Sequence, residues 1–288
     1  MVFADSDDQL QEDDGLPYPT VGAWAIEKHR KIAYYASIFA DSMRKKWNCR
    51  WYIDLYAGAG AAKLKGTDHR IKGSPLHVLG IEVPFDKYIF CEENPELSRA
   101  LEERIKVFHP EANACVLKVN CNRSIDQICT AIPQFGPGNT GIGFCFVDPF
   151  NASNLEFETI RRLATNRYVD FAVLIPSHMD IHRNAFNYTK PDCPIIDNLL
   201  GESQWRIDWA AVNSASKDFG LFVADRFGKR MKSCGYIYEG PECFEKIRMG
   251  EDFGLNLYYI CFFSRHPRGQ QFWKETRNRT KRQMTLGI

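Results

Sequence analysis

The sequence lacks most of the features that assign a chain at a glance. No apolar run approaches the length of a membrane span. The start is acidic, with Asp5, Asp7, Asp8, Glu12, Asp13 and Asp14, and does not have the basic-then-apolar plan of an export signal. Net charge is only +1 over 288 residues, which excludes a protein that binds polyanions through its overall charge. There are ten cysteines but no Cys-x-x-Cys, so the usual zinc and redox spacings are missing. Cys91, Cys145 and Cys261 sit inside apolar runs, where a thiol packs as a small hydrophobe. Reduced thiols in a cytoplasmic protein with no membrane segment are therefore expected. Cys234 and Cys243, around a Gly/Pro-containing stretch, have no explanation in the pattern. The full G-x-G-x-x-G of a dinucleotide site is missing too, and no internal repeat is found.

What is present is a set of apolar runs that each end on an acid. Trp51-Tyr52-Ile53 leads into Asp54, and Gly58-Ala59-Gly60 follows. Lys87 to Cys91 leads into Glu92-Glu93-Asn94-Pro95, and Gly141 to Val147 leads into Asp148-Pro149-Phe150. Such runs fit buried parallel strands. The carboxyl ends of those strands are where open α/β sheets bind ligands. The glycines let the backbone turn tightly and meet a ligand with no Cβ in the way.

Between the runs, apolar residues recur at helical spacing. Helices are predicted over 24–46, from Pro95 onward with Leu97, Leu101, Ile105 and Phe108 on one face, over 124–132, and around Leu155, Phe157, Ile160 and Leu163. A short strand over 114–119 ends at Asn120-Cys121-Asn122, and another covers 169–175. This alternation predicts an α/β fold with a doubly wound, mostly parallel sheet. Residues 61–73 are polar and read as a long loop, either a lid or a surface insertion. Ser74-Pro75 reads as a helix start, with the serine as N-cap. Residues 177–235 are expected to form a helical insertion after strand five, with closing strands over 236–238 and 257–263. The expected organisation is a flexible acidic stretch, 1–20, a folded domain, 21–275, and a basic tail, 276–288. Lys274, Arg277, Arg279, Lys281 and Arg282 make that end either solvated or a nucleic-acid contact.

Asp54-Leu55-Tyr56-Ala57-Gly58-Ala59-Gly60 resembles the first motif of class I S-adenosylmethionine-dependent methyltransferases, and Asp148-Pro149-Phe150 resembles their fourth. Glu92 falls where that fold carries the acid after strand two. More narrowly, the ordered set of these with Lys28, Gly73-Ser74-Pro75-Leu76, Asn94-Pro95, Asn120-Cys121-Asn122 and Phe262-Phe263-Ser264-Arg265-His266-Pro267 resembles the three-Cys-motif partner protein family of bacteria, over residues 24 to 275. The resemblance implies a Rossmann-like class I methyltransferase fold of seven strands, the last antiparallel. It implies S-adenosylmethionine as cofactor and a small three-Cys-motif protein as a partner, but names no substrate.

The residues suit that cofactor as follows. The turn at Gly58 and Gly60 offers backbone N–H groups to the methionine carboxylate, and Asp54 answers the ammonium directly or through water. Glu92 accepts from the ribose hydroxyls, with Glu93 as the alternative. Asn120 accepts from the adenine amino group, at a position where the family pattern more often has Asp. Asp148 either orients or deprotonates the methyl acceptor or caps the helix that follows. Phe150 stacks on a flipped base. Only one proline precedes it, where amino-methyltransferases have two, which puts methylation of a base amino group in question. His178-x-Asp180-x-His182 is read as either a metal pair or surface polarity. Arg183 is either a phosphate contact or an ion pair, and Phe272 and Trp273 either stack on bases or pack the last helix. The leading reading is a methyltransferase acting on nucleic acid. The alternatives are a non-catalytic partner of the small cysteine-motif protein and, more weakly, a Mg²⁺ nuclease built on Asp54, Glu92 and Asp148.

Overall fold

The computed structural model describes residues 8–10, 13–212, 218–248 and 256–286, with side chains as far as 279. The chain opens with β1 (Thr20–Val21), α1 (Trp24–Met43) and β2 (Cys49–Asp54). Next come β3 (Ala61–Leu64), β4 (Arg70–Lys72), α2 (Ser74–Leu79), β5 (Lys87–Cys91), α3 (Pro95–Phe108), β6 (Ala114–Leu117), α4 (Ile125–Ala131) and β7 (Gly141–Val147). They are followed by α5 (Phe157–Ala164), β8 (Tyr168–Ile175), α6 (Ala185–Tyr188), α7 (Ile195–Leu200), α8 (Trp205–Ala211) and α9 (Phe219–Ser233). The chain closes with β9 (Glu245–Arg248), β10 (Asn256–Phe263) and α10 (Pro267–Leu286).

Among the described residues the main sheet has seven strands in the order β6-β5-β2-β7-β8-β10-β9. β2 is parallel to β5 on one side and to β7 on the other, and β5 is parallel to β6. β10 runs antiparallel to both β8 and β9. Parallel neighbours joined through helices require crossovers, so this is the doubly wound, mostly parallel sheet the alternation predicts. The chain divides into two compact units, one of residues 1–146, 167–169 and 271–288, the other of 147–166 and 170–270.

The first unit is organised by aromatic packing. Trp51, Tyr52 and Ile53 are wholly buried. Tyr35 and Phe39, one turn apart on α1, lie 4.8 and 6.1 Å from the Phe144 ring, and Tyr52 meets Phe85 at 5.6 Å. Such ring pairs add about 0.5–1.5 kcal/mol each beyond the area they bury. Trp273 of α10 meets Tyr35 edge-on at 5.9 Å and is 3 % exposed, so it packs the last helix rather than offering a face to a base. Arg279 lies 4.5 Å over the Tyr34 ring, and the basic end continues α10 as helix. The side chains of Lys281 and Arg282 lie outside the described residues. In the second unit Trp205, Phe219 and Phe227 form part of a core, with Phe227 edge-on to Phe157 at 5.4 Å.

Several expectations need correction. Residues 61–73 are not a loop. β3 and β4 pair antiparallel, and β1 joins β3 in parallel. Alternation explains this: Ala62, Leu64 and Ile71 turn inward onto Ala25 and Ile26 of α1, while the lysines turn out. The stretch expected to be flexible is tied down where it is described. Asp8 pairs with Arg30, Asp13 with Arg70 and Asp14 with Arg104; Asp5, Asp7 and Glu12 lie outside the described residues. Ser74 is the first residue of α2 and Gly73 its cap. Tyr236 to Tyr238 is not a strand: Tyr236 lies under Arg265 at 4.6 Å and the Tyr238 hydroxyl donates to Asp225 at 2.5 Å. The strand beyond α9 is β9 instead.

Candidate active site

The glycine turn grows out of β2 and is fixed by hydrogen bonds from later segments. Asp54, the last residue of the strand, is wholly buried. Its Oδ1 accepts from the Tyr56 N–H at 3.1 Å and its Oδ2 from the Ser74 hydroxyl at 2.6 Å. The Ala57 N–H donates to the Cys91 carbonyl at 2.9 Å, which ties the turn to the end of β5. Gly58 and Gly60 then take φ of +60 and +76. Those left-handed values are costly for any residue with a Cβ. A Cβ on Gly60 would stand 2.8 Å from Leu101, whereas one on Gly58 would meet nothing within 4 Å. The turn is therefore packed on one side and open on the other.

The Gly58 N–H donates to Glu92 Oε2 at 3.0 Å, and Glu92 Oε1 accepts from the Asn94 N–H at 2.8 Å. Burial pushes the Glu92 carboxyl above its usual range and the neighbouring Glu93 charge adds to that, outweighing the two N–H donors that favour the anion. Beyond β6, Asn120 donates through Nδ2 to Glu93 Oε2 at 2.8 Å. Its Oδ1 accepts from the N–H groups of Asn122 and Arg123 at 3.1 and 3.2 Å. The amide oxygen expected to serve adenine thus already has two donors. Cys121 lies beneath, its thiol 3.3 Å from the Tyr56 hydroxyl and pushed up to about 11 by burial, so it packs as a neutral group.

Two partners of this turn escaped the sequence reading. Ser74 had been taken as a helix cap; its hydroxyl instead satisfies Asp54. Arg104 of α3 is wholly buried, with Nε and Nη2 donating to Asp14 at 2.7 and 2.9 Å and Nη1 to the Ala59 carbonyl at 2.7 Å. It also donates to the Pro17 carbonyl at 3.1 Å and lies 4.3 Å over the Tyr18 ring. A pair 90 residues apart leaves no local signal.

In the second unit, Asp148 is half-buried and Phe150 is 84 % exposed. The helix-capping role considered for Asp148 is filled by Asn151, whose side chain accepts from the Ser153 N–H at 3.1 Å. Tyr258 of β10 faces Asp148: its phenol is pushed up to about 12 by burial and then by the Asp148 and Asp180 charges. Asp180 accepts from the Ala152 N–H at 2.7 Å, from Asn184 Nδ2 at 2.7 Å and from the Tyr188 hydroxyl at 2.8 Å. The His178 and His182 rings stack at 4.6 Å, and among the described residues no group of three or more His, Cys, Asp or Glu is gathered to hold a metal ion. The largest cavity found in this unit, about 350 Å³, is lined by Phe157, Arg161, Asp197 and Arg230 and belongs to the helices rather than to the strand ends.

Structures similar to this chain include a TYW2 protein of M. jannaschii in complex with AdoMet, at 11 % identity and a TM-score of 0.41, covering 92 % of this chain and 90 % of that one. A protein of Klebsiella pneumoniae assigned as an O-methyltransferase gives 9 % identity and a TM-score of 0.44, covering 88 % and 84 %. Protein LPL1258 of Legionella pneumophila gives 13 % and 0.40, covering 61 % and 75 %. At these values the likeness is one of fold outline. No family model matches the chain, and no curated protein matches it. The strand order itself defines a methyltransferase-like, Rossmann-type α/β fold. No helix among the described residues is long and apolar enough to cross a membrane.

Proposed function

We propose that the chain is an S-adenosylmethionine-dependent methyltransferase whose acceptor is a nucleic acid. The observation that carries this is the contact between Gly58 and Glu92: an open glycine turn with a half-buried carboxylate held 3.0 Å from its N–H. A carboxylate has acceptor capacity beyond the two N–H groups it already takes, so Glu92 can also receive ribose hydroxyls. The Gly58 face, with space where a Cβ would stand, suits the methionine carboxylate. Asp54 would act on the ammonium through the turn it orders, since it is itself wholly buried. Asn120, with its oxygen engaged, would shape the adenine end by holding Glu93. When bound, S-adenosylmethionine supplies a methyl group on a sulfonium, transferable to a lone pair. Asp148 would orient the acceptor or take its proton, and Phe150 would stack on its base.

Membership of the three-Cys-motif partner family belongs to this proposal as well. The nuclease alternative is not retained, because Asp54 is consumed by Ser74 and Tyr56. The test is incubation of the protein with methyl-labelled S-adenosylmethionine and separate RNA, DNA and protein fractions. Label in RNA or DNA supports the reading. Label confined to protein overturns the acceptor, and no label anywhere favours the non-catalytic partner.

A further inference from the structure

We propose that the second unit carries a two-ring stacking platform for an unpaired nucleic-acid strand, made by Phe150 and Phe186, with Asp180 as the residue that positions both. This rests on the nucleic-acid reading above and extends it from one ring to a surface. Phe150 is 84 % exposed and Phe186 81 %. Each ring forgoes the stabilisation of burial, and neither is on a loose segment. One buried carboxylate fixes both. Asp180, 7 % exposed, takes the N–H of Ala152, two residues past Phe150. Its other oxygen takes the side chains of Asn184 and Tyr188, which flank Phe186 on α6. The segment after β7 and the segment after β8 are thus tied to a single group, and each presents a bare ring.

The surroundings favour a base with its phosphates over an apolar partner. From His182 to Lys190 the sequence HRNAFNYTK contains Arg183 and Lys190 and no acid. The Lys190 ammonium lies 5.0 Å over the Phe186 ring, and its Nζ also donates to Asn187 at 3.0 Å. Arg183, Asn187 and Lys190 are all exposed. Protein-binding surfaces gather apolar side chains into a contiguous centre. Single rings set among cations and amides are the pattern that tracks a single strand.

Fluorescence anisotropy with labelled oligouridine and oligothymidine tests this and separates RNA from DNA. Phe150→Ala and Phe186→Ala should each weaken strand binding by about 5- to 150-fold, the span for losing one base–ring stack. Lys190→Gln should lower the salt slope by about one. Asn184→Ala removes one bond to Asp180 without touching a strand, and should also weaken binding while the melting temperature shows a folded protein. Strand affinity unchanged in Phe186→Ala overturns the platform and leaves that ring to a protein partner. A duplex bound as tightly as the single strand overturns it too. S-adenosylhomocysteine titrated into the wild type separates the two proposals. Cofactor binding without strand binding removes the platform alone. Strand binding without cofactor binding removes the methyltransferase and leaves the platform supported.

Discussion

Replacing Asp14 by asparagine removes the counter-charge of Arg104 while keeping the size of the side chain. Arg104 is wholly buried and the Asp14 side chain is 25 % exposed. Breaking a fully buried ion pair costs about 3–5 kcal/mol, and losing an exposed one about 0–1. Asp14 lies between these limits, and the Ala59 and Pro17 carbonyls still share the guanidinium, so the expected loss is about 1–3 kcal/mol. The pH dependence has a definite sign. Burial alone would raise the Asp14 carboxyl, but hydrogen bonds from Arg104, Tyr18 and the Leu16 N–H, with the Arg104 charge, bring it below 3.8. A depressed carboxyl contributes stability in full above its unfolded value, and that stability is lost as pH falls through the folded value. Urea unfolding of wild type and Asp14→Asn should therefore differ by a constant amount from neutral pH down to about pH 5 and converge below about pH 4. Hydrogen exchange at Ala59 and Gly60 should quicken in the variant at neutral pH, because Arg104 holds the Ala59 carbonyl. A difference under about 0.5 kcal/mol at neutral pH, the scale of an ordinary surface substitution, would refute the clamp.

Ser74→Ala leaves an oxygen of the wholly buried Asp54 without its 2.6 Å donor and should cost about 1–3 kcal/mol in thermal or chemical melts; a cost below that range would mean the hydroxyl is dispensable. Glu92→Gln should act in two ways. A carboxyl whose folded value is raised above 4.5 costs stability once ionised, so wild-type stability declines as pH rises through the window just above 4.5, and the variant should flatten that decline in a series of melts. The same variant should weaken S-adenosylhomocysteine binding by about 10- to 100-fold, and equal affinity would remove Glu92 from the cofactor site. Asp148→Ala should spare cofactor binding but slow methyl transfer by about 10²–10⁴-fold, measured on whichever nucleic acid takes the label; transfer at the wild-type rate would make Asp148 structural.

The sheet was legible because buried parallel strands are nearly continuous apolar runs, as in Trp51-Tyr52-Ile53 and Gly141 to Val147. The hairpin of β3 and β4 was not, because its inward residues are few and small and its lysines dominate the composition. β9 was missed for the same reason. Its four residues, Glu245 to Arg248, offer only Ile247 as an apolar side chain, while the more hydrophobic Tyr236 to Tyr238 lies outside the sheet. At the candidate site, the turn glycines and Glu92 could be read from spacing alone, since a strand end and its acid are adjacent in sequence. Ser74 on Asp54, Arg104 on Asp14 and Asp180 on Ala152 are 20, 90 and 28 residues from their partners. Contacts of that kind arise from tertiary folding and leave no periodic trace. Asp180 was noticed only for its two histidines, although its carboxylate serves the backbone and α6.

Calorimetric titration of the folded wild-type protein with S-adenosylhomocysteine is the most direct measurement of whether the turn at Gly58, Gly60 and Glu92 is a cofactor site. Saturable one-to-one binding, abolished or weakened by Glu92→Gln, is the predicted result. A folded, ligand-free protein that takes up no S-adenosylhomocysteine would contradict the methyltransferase reading.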